Sequence, residues 1–143
     1  MAIKQISVFA ENKKGSVFSS LDVLADADID LRALSIAETT EYGILRIIVS
    51  DTEKASEILK EAGCIFTVTD VIGVQMPDVP GGLARILGVL AKADINIEYL
   101  YAFLATIEDR AYVVLRVADN SVAEKELSKN GMVLLSEKEI KSF

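Results

Sequence analysis

Residues Gly81–Ile95 read GGLARILGVLAKADI, and residues Gly15–Ile29 read GSVFSSLDVLADADI. The two stretches are one motif written twice, 66 residues apart. Leu21, Val23, Leu24, Ala25, Ala27, Asp28 and Ile29 recur as Leu87, Val89, Leu90, Ala91, Ala93, Asp94 and Ile95. Further along the offset grows to 68, where Val49 matches Val117, Asp51 matches Asp119, Ala55 matches Ala123, Leu59 matches Leu127 and Gly63 matches Gly131. An internal repeat of this length implies that each half is one folding unit and that any shared function resides in what both copies keep.

Outward from the motif, each half reads as βαββαβ. The first has a strand at 3–10 (IKQISVFA), a turn at 12–15 and a helix at 16–27 with Val17, Leu21, Leu24 and Ala25 on one face. Strands follow at 31–39 and 43–50, the second rich in β-branched residues and so expected near the sheet centre. Ser50, Asp51 and Thr52 offer N-cap oxygens, with Glu53 in a capping-box position three residues after Ser50, opening a helix that Gly63 ends; 64–69 is the last strand. The second half repeats this with a strand at 71–76, a helix at 82–93, strands at 97–106 and 111–118, a capping box at Ser121–Glu124 and a strand at 132–136. Residues 137–143 are open between a short helix and a frayed tail. The fold class is therefore α+β: two ferredoxin-like βαββαβ repeats, with antiparallel sheets and helices on one face. The expected domains are 1–69 and 70–143. The junction, Cys64–Met76, is extended and largely apolar, so it predicts a fixed relation between the halves, even one continuous sheet.

Composition narrows the function classes. The 143 residues carry 15 Lys and Arg against 22 Asp and Glu, a net charge of −7, which works against nucleic acid and anionic membranes. No apolar run is long enough to span a bilayer and no secretory signal is visible. One cysteine, Cys64, cannot form an internal disulfide, so the expected location is the cytoplasm. There is no histidine, which removes the usual nucleophile triads and imidazole metal sites; no catalytic residue, metal or cofactor is expected. With 51% hydrophobic residues in two small halves, a homo-oligomer is expected, associating through sheet or helix faces.

The chemistry-bearing feature is the loop before the first helix of each half. Asp78-Val79-Pro80-Gly81-Gly82-Leu83 brings a pliable backbone to a helix start, whose free N–H groups and positive dipole end suit a carboxylate. Asp78 stands three residues before Gly81, and Asn12 three before Gly15, each offering a side-chain oxygen beside that position. The plainer reading is a tight turn with Asp78 or Asn12 as a turn residue.

The string Pro80–Leu100, PGGLARILGVLAKADINIEYL, resembles the signature of the ACT domain through Asp78, Pro80, Gly81, Leu83, Val89, Leu90, Ile95, Asn96 and Ile97. The first half matches at Asn12, Gly15, Val17, Val23, Leu24, Ile29 and Asp30 but has Lys14 where that family favours proline. The resemblance covers the whole chain as a tandem pair and implies a βαββαβ fold that binds an amino acid and regulates a metabolic enzyme. It also implies a ligand site where the loop and first helix of one domain meet the second strand of a neighbour. Asp94, Ile95, Asn96 and Ile97 would then join Asp78, Pro80, Gly81, Gly82 and Leu83. Asp28, Ile29 and Asp30 would join Asn12, Gly15, Ser16 and Val17. The drift at Lys14 makes the second loop the better candidate.

Other patterns are weaker. Asp26, Asp28 and Asp30 mimic the start of a calcium loop, but Leu31 stands where glycine is required. Tyr99, Tyr101, Phe103 and Tyr112 share a sheet face as in RNA-binding modules; without a basic surface they read instead as a buried sheet–sheet or dimer contact. Arg46 and Arg116 are placed at the rim of that contact. Cys64 reads as a buried structural thiol. The expected function is thus a non-catalytic regulatory protein that binds a small amino acid or related metabolite. The alternative is a ligand-independent interaction module or regulatory subunit of a biosynthetic enzyme.

Overall fold

Strand β1 (Ile3–Glu11) is the register keeper of the molecule: Ile6 and Val8 point to one side, Ile3, Gln5 and Ser7 to the other, and both sides are buried. The computed structural model describes residues 2–11, 13–38 and 41–143. After β1 come α1 (Ser16–Asp26), β2 (Leu31–Glu38), β3 (Tyr42–Val49), α2 (Thr52–Glu61) and β4 (Ile65–Pro77). Then follow α3 (Gly82–Lys92), β5 (Ile97–Ala102), β6 (Arg110–Val117), α4 (Asn120–Lys129), β7 (Val133–Leu134) and α5 (Glu137–Lys141).

The strands form one antiparallel sheet in the order β2-β3-β1-β4-β6-β5, with β7 paired to β4. The strand expected to end the first half and the one expected to open the second are a single element. β4 pairs with β1 from Ile65 to Val71 and with β6 from Ile72 to Pro77. An apolar, β-branched run without glycine until Gly73 has no reason to break at Asp70.

The four longer helices, α1 to α4, lie on one face of this sheet. Under α1 and α2 the core holds Ile6, Val8, Leu24, Leu45, Ile47, Val49, Ala55 and Leu59. Under α3 and α4 it holds their repeat-mates Ile72, Val74, Leu90, Val113, Leu115, Val117, Ala123 and Leu127. One mate differs in kind: Ile86 is matched by buried Ser20, whose hydroxyl lies 3.9 Å from the Cys64 thiol. Cys64 packs partly buried against the first core, as a structural thiol would.

The other face, on which α5 packs through Ile140, curls inward until the two ends of the sheet touch, through an antiparallel bridge between Ala33 and Phe103 and the bond Leu104 N–H to Arg32 C=O at 2.9 Å. Irregular register at Leu31/Ala33 and at Ile97/Tyr99, equivalent places in the two repeats, adds the twist such curling needs. A third core fills the interior: Ile3, Ala33 and Ile48 from the first half against Val71, Tyr101, Phe103, Tyr112 and Val114 from the second. The aromatics thus form a sheet–sheet contact within the chain. Arg46 stacks on Tyr99 at 3.8 Å from the ring centre, and Arg116 pairs with Glu98 at 3.5 Å, both at the rim.

Several local expectations are corrected. Asp51, not Ser50, caps α2, accepting from Lys54 N–H; Asp119, not Ser121, caps α4, accepting from Val122 N–H. At α2 Asp51 stands one residue nearer the helix than Ser50; at α4 Ser121 already lies inside the first turn, and it donates its hydroxyl to the capping Asp119 at 2.7 Å. That bond first, and the Val122 N–H second, hold the Asp119 carboxyl below its usual range. The capping box forms at Ser136 and Glu139, which starts α5 and makes residues 137–141 a helix. β7 is only two residues long because α5 turns away at once, and β5 stops at Ala102 because Phe103 and Leu104 bend to meet β2. The expected first-half bounds at Asn12 and Thr39 lie outside the described residues.

Candidate functional site

Both loops enter their helix through a glycine in the left-handed region, Gly15 at φ 82° and Gly81 at φ 89°, where a side chain would strain the backbone. No side chain caps either helix. In the second loop Gly82 N–H closes onto Val79 C=O, so the next N–H groups, of Leu83 and Ala84, remain for solvent or a ligand. Gly82 is needed for a second reason: a Cβ there would stand 2.5 Å from the Pro77 carbonyl oxygen. The first loop has Ser16 at that place. Its hydroxyl is buried and has no hydrogen-bond partner among the described residues.

Asp78, Pro80 and Gly81 are exposed, Gly82 is buried and Leu83 half-buried. Asp78 is held through its backbone, its N–H donating to Asp109 C=O at 2.7 Å. In the first loop Gly15 is exposed, with Ser16 and Val17 half-buried. Asn12 lies outside the described residues.

The Ala-Asp-Ile strings sit at the far ends of the helices. Asp28 and Asp94 both adopt φ 58°, and the amides of Ile29 and Ile95 reach back to Leu24 and Leu90. These are left-handed helix C-terminal turns, and they give each aspartate a structural reason to recur. Within one repeat, Asp28-Ile29-Asp30 is separated from Gly15-Ser16-Val17 by the length of α1, roughly 15 Å for such a helix. Asp94-Ile95-Asn96-Ile97 is likewise separated from Pro80–Leu83 by α3. Each repeat therefore does not close a site on itself.

What borders the loops instead comes from strands and hairpins. A groove of about 220 Å³ at the first loop is lined by Glu11, Lys13, Gly15, Val17 and, from β2, Ile36 and Glu38. One of about 370 Å³ at the second is lined by Met76, Val79, Arg85, Asp109, Arg110 and Met132. Arg85, Arg110 and Lys13 give these acidic-protein grooves local positive charge. Sequence reading missed Arg110 and Ile36, because only strand pairing brings them beside the loops. The hairpin after β5 also reaches across the halves: Asp109 holds Asp78, and Leu104 bonds Arg32, which pairs with Asp30. The second loop and the start of β2 thus flank one hairpin.

A larger groove of about 580 Å³ lies elsewhere, lined by Lys4, Asp51, Glu53, Glu57, Glu137 and Lys141 among others. Its mixed charges form no convergent set. Among the described residues no cluster of metal-ligating side chains is present, and no helix is long and apolar enough to cross a membrane.

A protein-family profile described as an ACT domain pair matches residues 1–143. In solved structures, protein BT0572 from Bacteroides thetaiotaomicron is 38% identical with a TM-score of 0.92, covering 100% of this chain and 98% of that one. The ligand-free regulatory subunit of aspartate kinase from Thermus thermophilus shares the fold at 18% identity and TM-score 0.63, covering 88% and 90%. A structure of aspartokinase alpha and beta subunits does so at 24% and 0.57, covering 88% and 90%. Among curated proteins none matches the sequence.

Proposed function

Because this chain belongs to the ACT domain pair family, we propose that it is a non-catalytic regulatory protein that binds a small amino acid or related metabolite where its repeats meet. The observation that carries the reading is the pair of uncapped helix N-termini, each behind a left-handed glycine and beside basic side chains. Such an end takes a carboxylate through backbone N–H groups and the helix dipole. Asp78, exposed in the same loop, would meet an ammonium group. The orphaned Ser16 hydroxyl supplies a further polar partner at the first loop.

Since each repeat holds its loop and its Ala-Asp-Ile turn a helix apart, a ligand that touches both must bridge repeats. The contact between β2 and β5 supports this, for it makes the second strand of each repeat the neighbour of the other. On this reading Asp78 and Pro80–Leu83 work with Asp28–Asp30, and Gly15–Val17, with Asn12, work with Asp94–Ile97. Binding would shift how repeats or subunits associate, and through them a cytoplasmic biosynthetic enzyme. The protein acts as a homo-oligomer.

Thermal melts against the twenty amino acids test the reading, because a ligand that prefers the native state raises the midpoint. One selective rise at millimolar concentration is expected. If no amino acid or deaminated analogue shifts the melt, ligand binding is refuted and the interaction-module reading takes its place.

A further inference from the structure

The chain has five arginines, and three of them are engaged within the fold. Arg32 pairs with Asp30 and donates to the carbonyls of Ile140 and Lys141. Arg46 lies on the Tyr99 ring, and Arg116 pairs with Glu98 and donates to Asp70 C=O. The other two, Arg85 and Arg110, make no ion pair or side-chain hydrogen bond among the described residues. Both line the same groove, the one of about 370 Å³ beside the second loop.

The fold brings them there from different elements. Arg85 stands one turn into α3, its N–H donating to Gly81 C=O at 3.0 Å, so it rides on the glycine turn that opens the helix. Arg110 opens β6 and lies opposite Pro77 at the end of β4. Half-buried Met76 and Met132 make part of the lining apolar. The lining's one carboxylate is Asp109, whose C=O accepts from the Asp78 N–H at 2.7 Å. The groove thus sets two cations against one anion, in a chain whose net charge is −7. Two guanidinium groups on one concave surface repel each other until an anion is shared between them.

The repeat shows that this charge is not required by the fold. The mates of Arg85 and Arg110 are Ser19 and Tyr42, and those of Met76 and Met132 are Ala10 and Cys64. Ser19 turns its hydroxyl onto the Gly15 carbonyl at 2.9 Å. Both repeats fold alike, yet only the second carries the arginine pair.

We propose that the second loop binds a dicarboxylic α-amino acid, of the size of aspartate or glutamate, whose side-chain carboxylate is received by Arg85 and Arg110. This rests on the amino-acid reading above and names the ligand class. The helix N–H groups and Asp78 answer the α-carboxylate and the ammonium, which every amino acid carries. A neutral side chain leaves the arginines without a counter-charge, and a basic one is repelled by them. A second carboxylate matches the excess positive charge, because a planar guanidinium takes it through paired N–H donors. The methylene groups between the two acids lie against Met76 and Met132. A space of about 370 Å³ is within the range of pockets that take small ligands.

Thermal melts and titration calorimetry of the full chain test this with sodium L-glutamate and sodium L-aspartate. They are compared with L-glutamine, L-asparagine, L-lysine and L-leucine at equal ionic strength, and with sodium glutarate and sodium phosphate. One acidic amino acid is expected to raise the midpoint, and its amide to bind roughly tenfold more weakly, as loss of a charge-assisted contact implies. Arg85→Gln and Arg110→Gln, both at exposed positions, are expected to keep the fold by circular dichroism and to lose the preference for acid over amide. Lys129→Gln removes an exposed cation on α4 outside this groove and is expected to keep that preference. Selective binding of a neutral or basic amino acid overturns this assignment and leaves amino-acid binding at the loop intact. So does an acid preference that survives both arginine substitutions, or a response to glutarate or phosphate equal to that of the amino acids. If no amino acid binds, this assignment and the reading it rests on fall together.

Discussion

Gln5 and Tyr101 stand 96 residues apart and meet inside the curled sheet, where the Tyr101 hydroxyl donates to Gln5 Oε1 at 2.7 Å. The Gln5 amide in turn donates to Tyr99 Oη at 2.8 Å and to Ser7 Oγ at 3.1 Å. Gln5 is fully buried, so these bonds are its only compensation for leaving water. One glutamine from the first repeat and two tyrosines from the second thus tie the halves together by a polar contact within an otherwise apolar interior.

Tyr101→Phe should therefore leave a buried carbonyl unpaired and cost about 1–3 kcal/mol, read as a lower denaturant midpoint at unchanged slope. Burial, first, and the neighbouring Tyr99 push the Tyr101 hydroxyl well above its ordinary value. A folded-state value above the unfolded one means the native state holds the proton longer. The contribution is then complete below about pH 10 and is lost as pH rises beyond it. Stability of the wild type should fall more steeply above that point than that of Tyr101→Phe. Parallel alkaline profiles would sink the argument.

Gly81→Val should abolish the amino-acid shift in the melt while the fold survives. No atom lies within 4 Å of a Cβ at this position, so the damage is confined to the left-handed backbone turn that aims the helix N–H groups. Far-ultraviolet circular dichroism checks the fold, and the ligand-induced midpoint checks the site. Asp78→Ala should weaken amine-bearing ligands more than their deaminated analogues.

Gly73→Ala tests how closely the repeats are packed. A Cβ there would meet Ile3 Cδ1 and Leu135 Cβ at 3.1 Å, within the interior that joins the halves. Overpacking of this kind costs about 1–3 kcal/mol, and Gly73→Leu should cost more than Gly73→Ala in the same denaturation experiment. Equal stability of both variants would show that the interior yields freely.

The α4 cap carries a pH signature. Asp119 accepts from the Ser121 hydroxyl and the Val122 N–H, and its carboxyl is held below the ordinary range. A lowered folded-state value contributes stability above the unfolded value, and that contribution disappears as pH falls through the folded one. Asp119→Asn keeps a cap without the charge. The difference in melting temperature between wild type and this variant should shrink on acidification, and Asp119→Ala should melt lowest at neutral pH.

Much of this was legible in the chain. The 66-residue echo marked two βαββαβ units, and apolar periodicity marked Leu24 in the first helix-side core, because burial against a helix imposes a local, countable pattern; it also put exposed Ala25 on that face and passed over buried Ser20. Glycine before the first helix announced the loop, since a left-handed turn is written in one residue type. Cap positions were off by one at Ser50/Asp51 and by two at Asp119/Ser121. Either residue can cap, and only the backbone's path chooses.

By itself, then, the sequence determined that there are two copies of one fold and that a glycine turn opens the first helix of each. Only the tertiary structure decided that β4 serves both repeats, and that the sheet curls until β2 meets β5. It also separated each loop from its own Ala-Asp-Ile turn, and left Ile44 half-buried while its repeat-mate Tyr112 lies inside. The physical reason is range. Helix and strand periodicity come from interactions a few residues apart, whereas curl, closure and exposure depend on pairings between Gln5 and Tyr101, or Ala33 and Phe103, that no local pattern encodes.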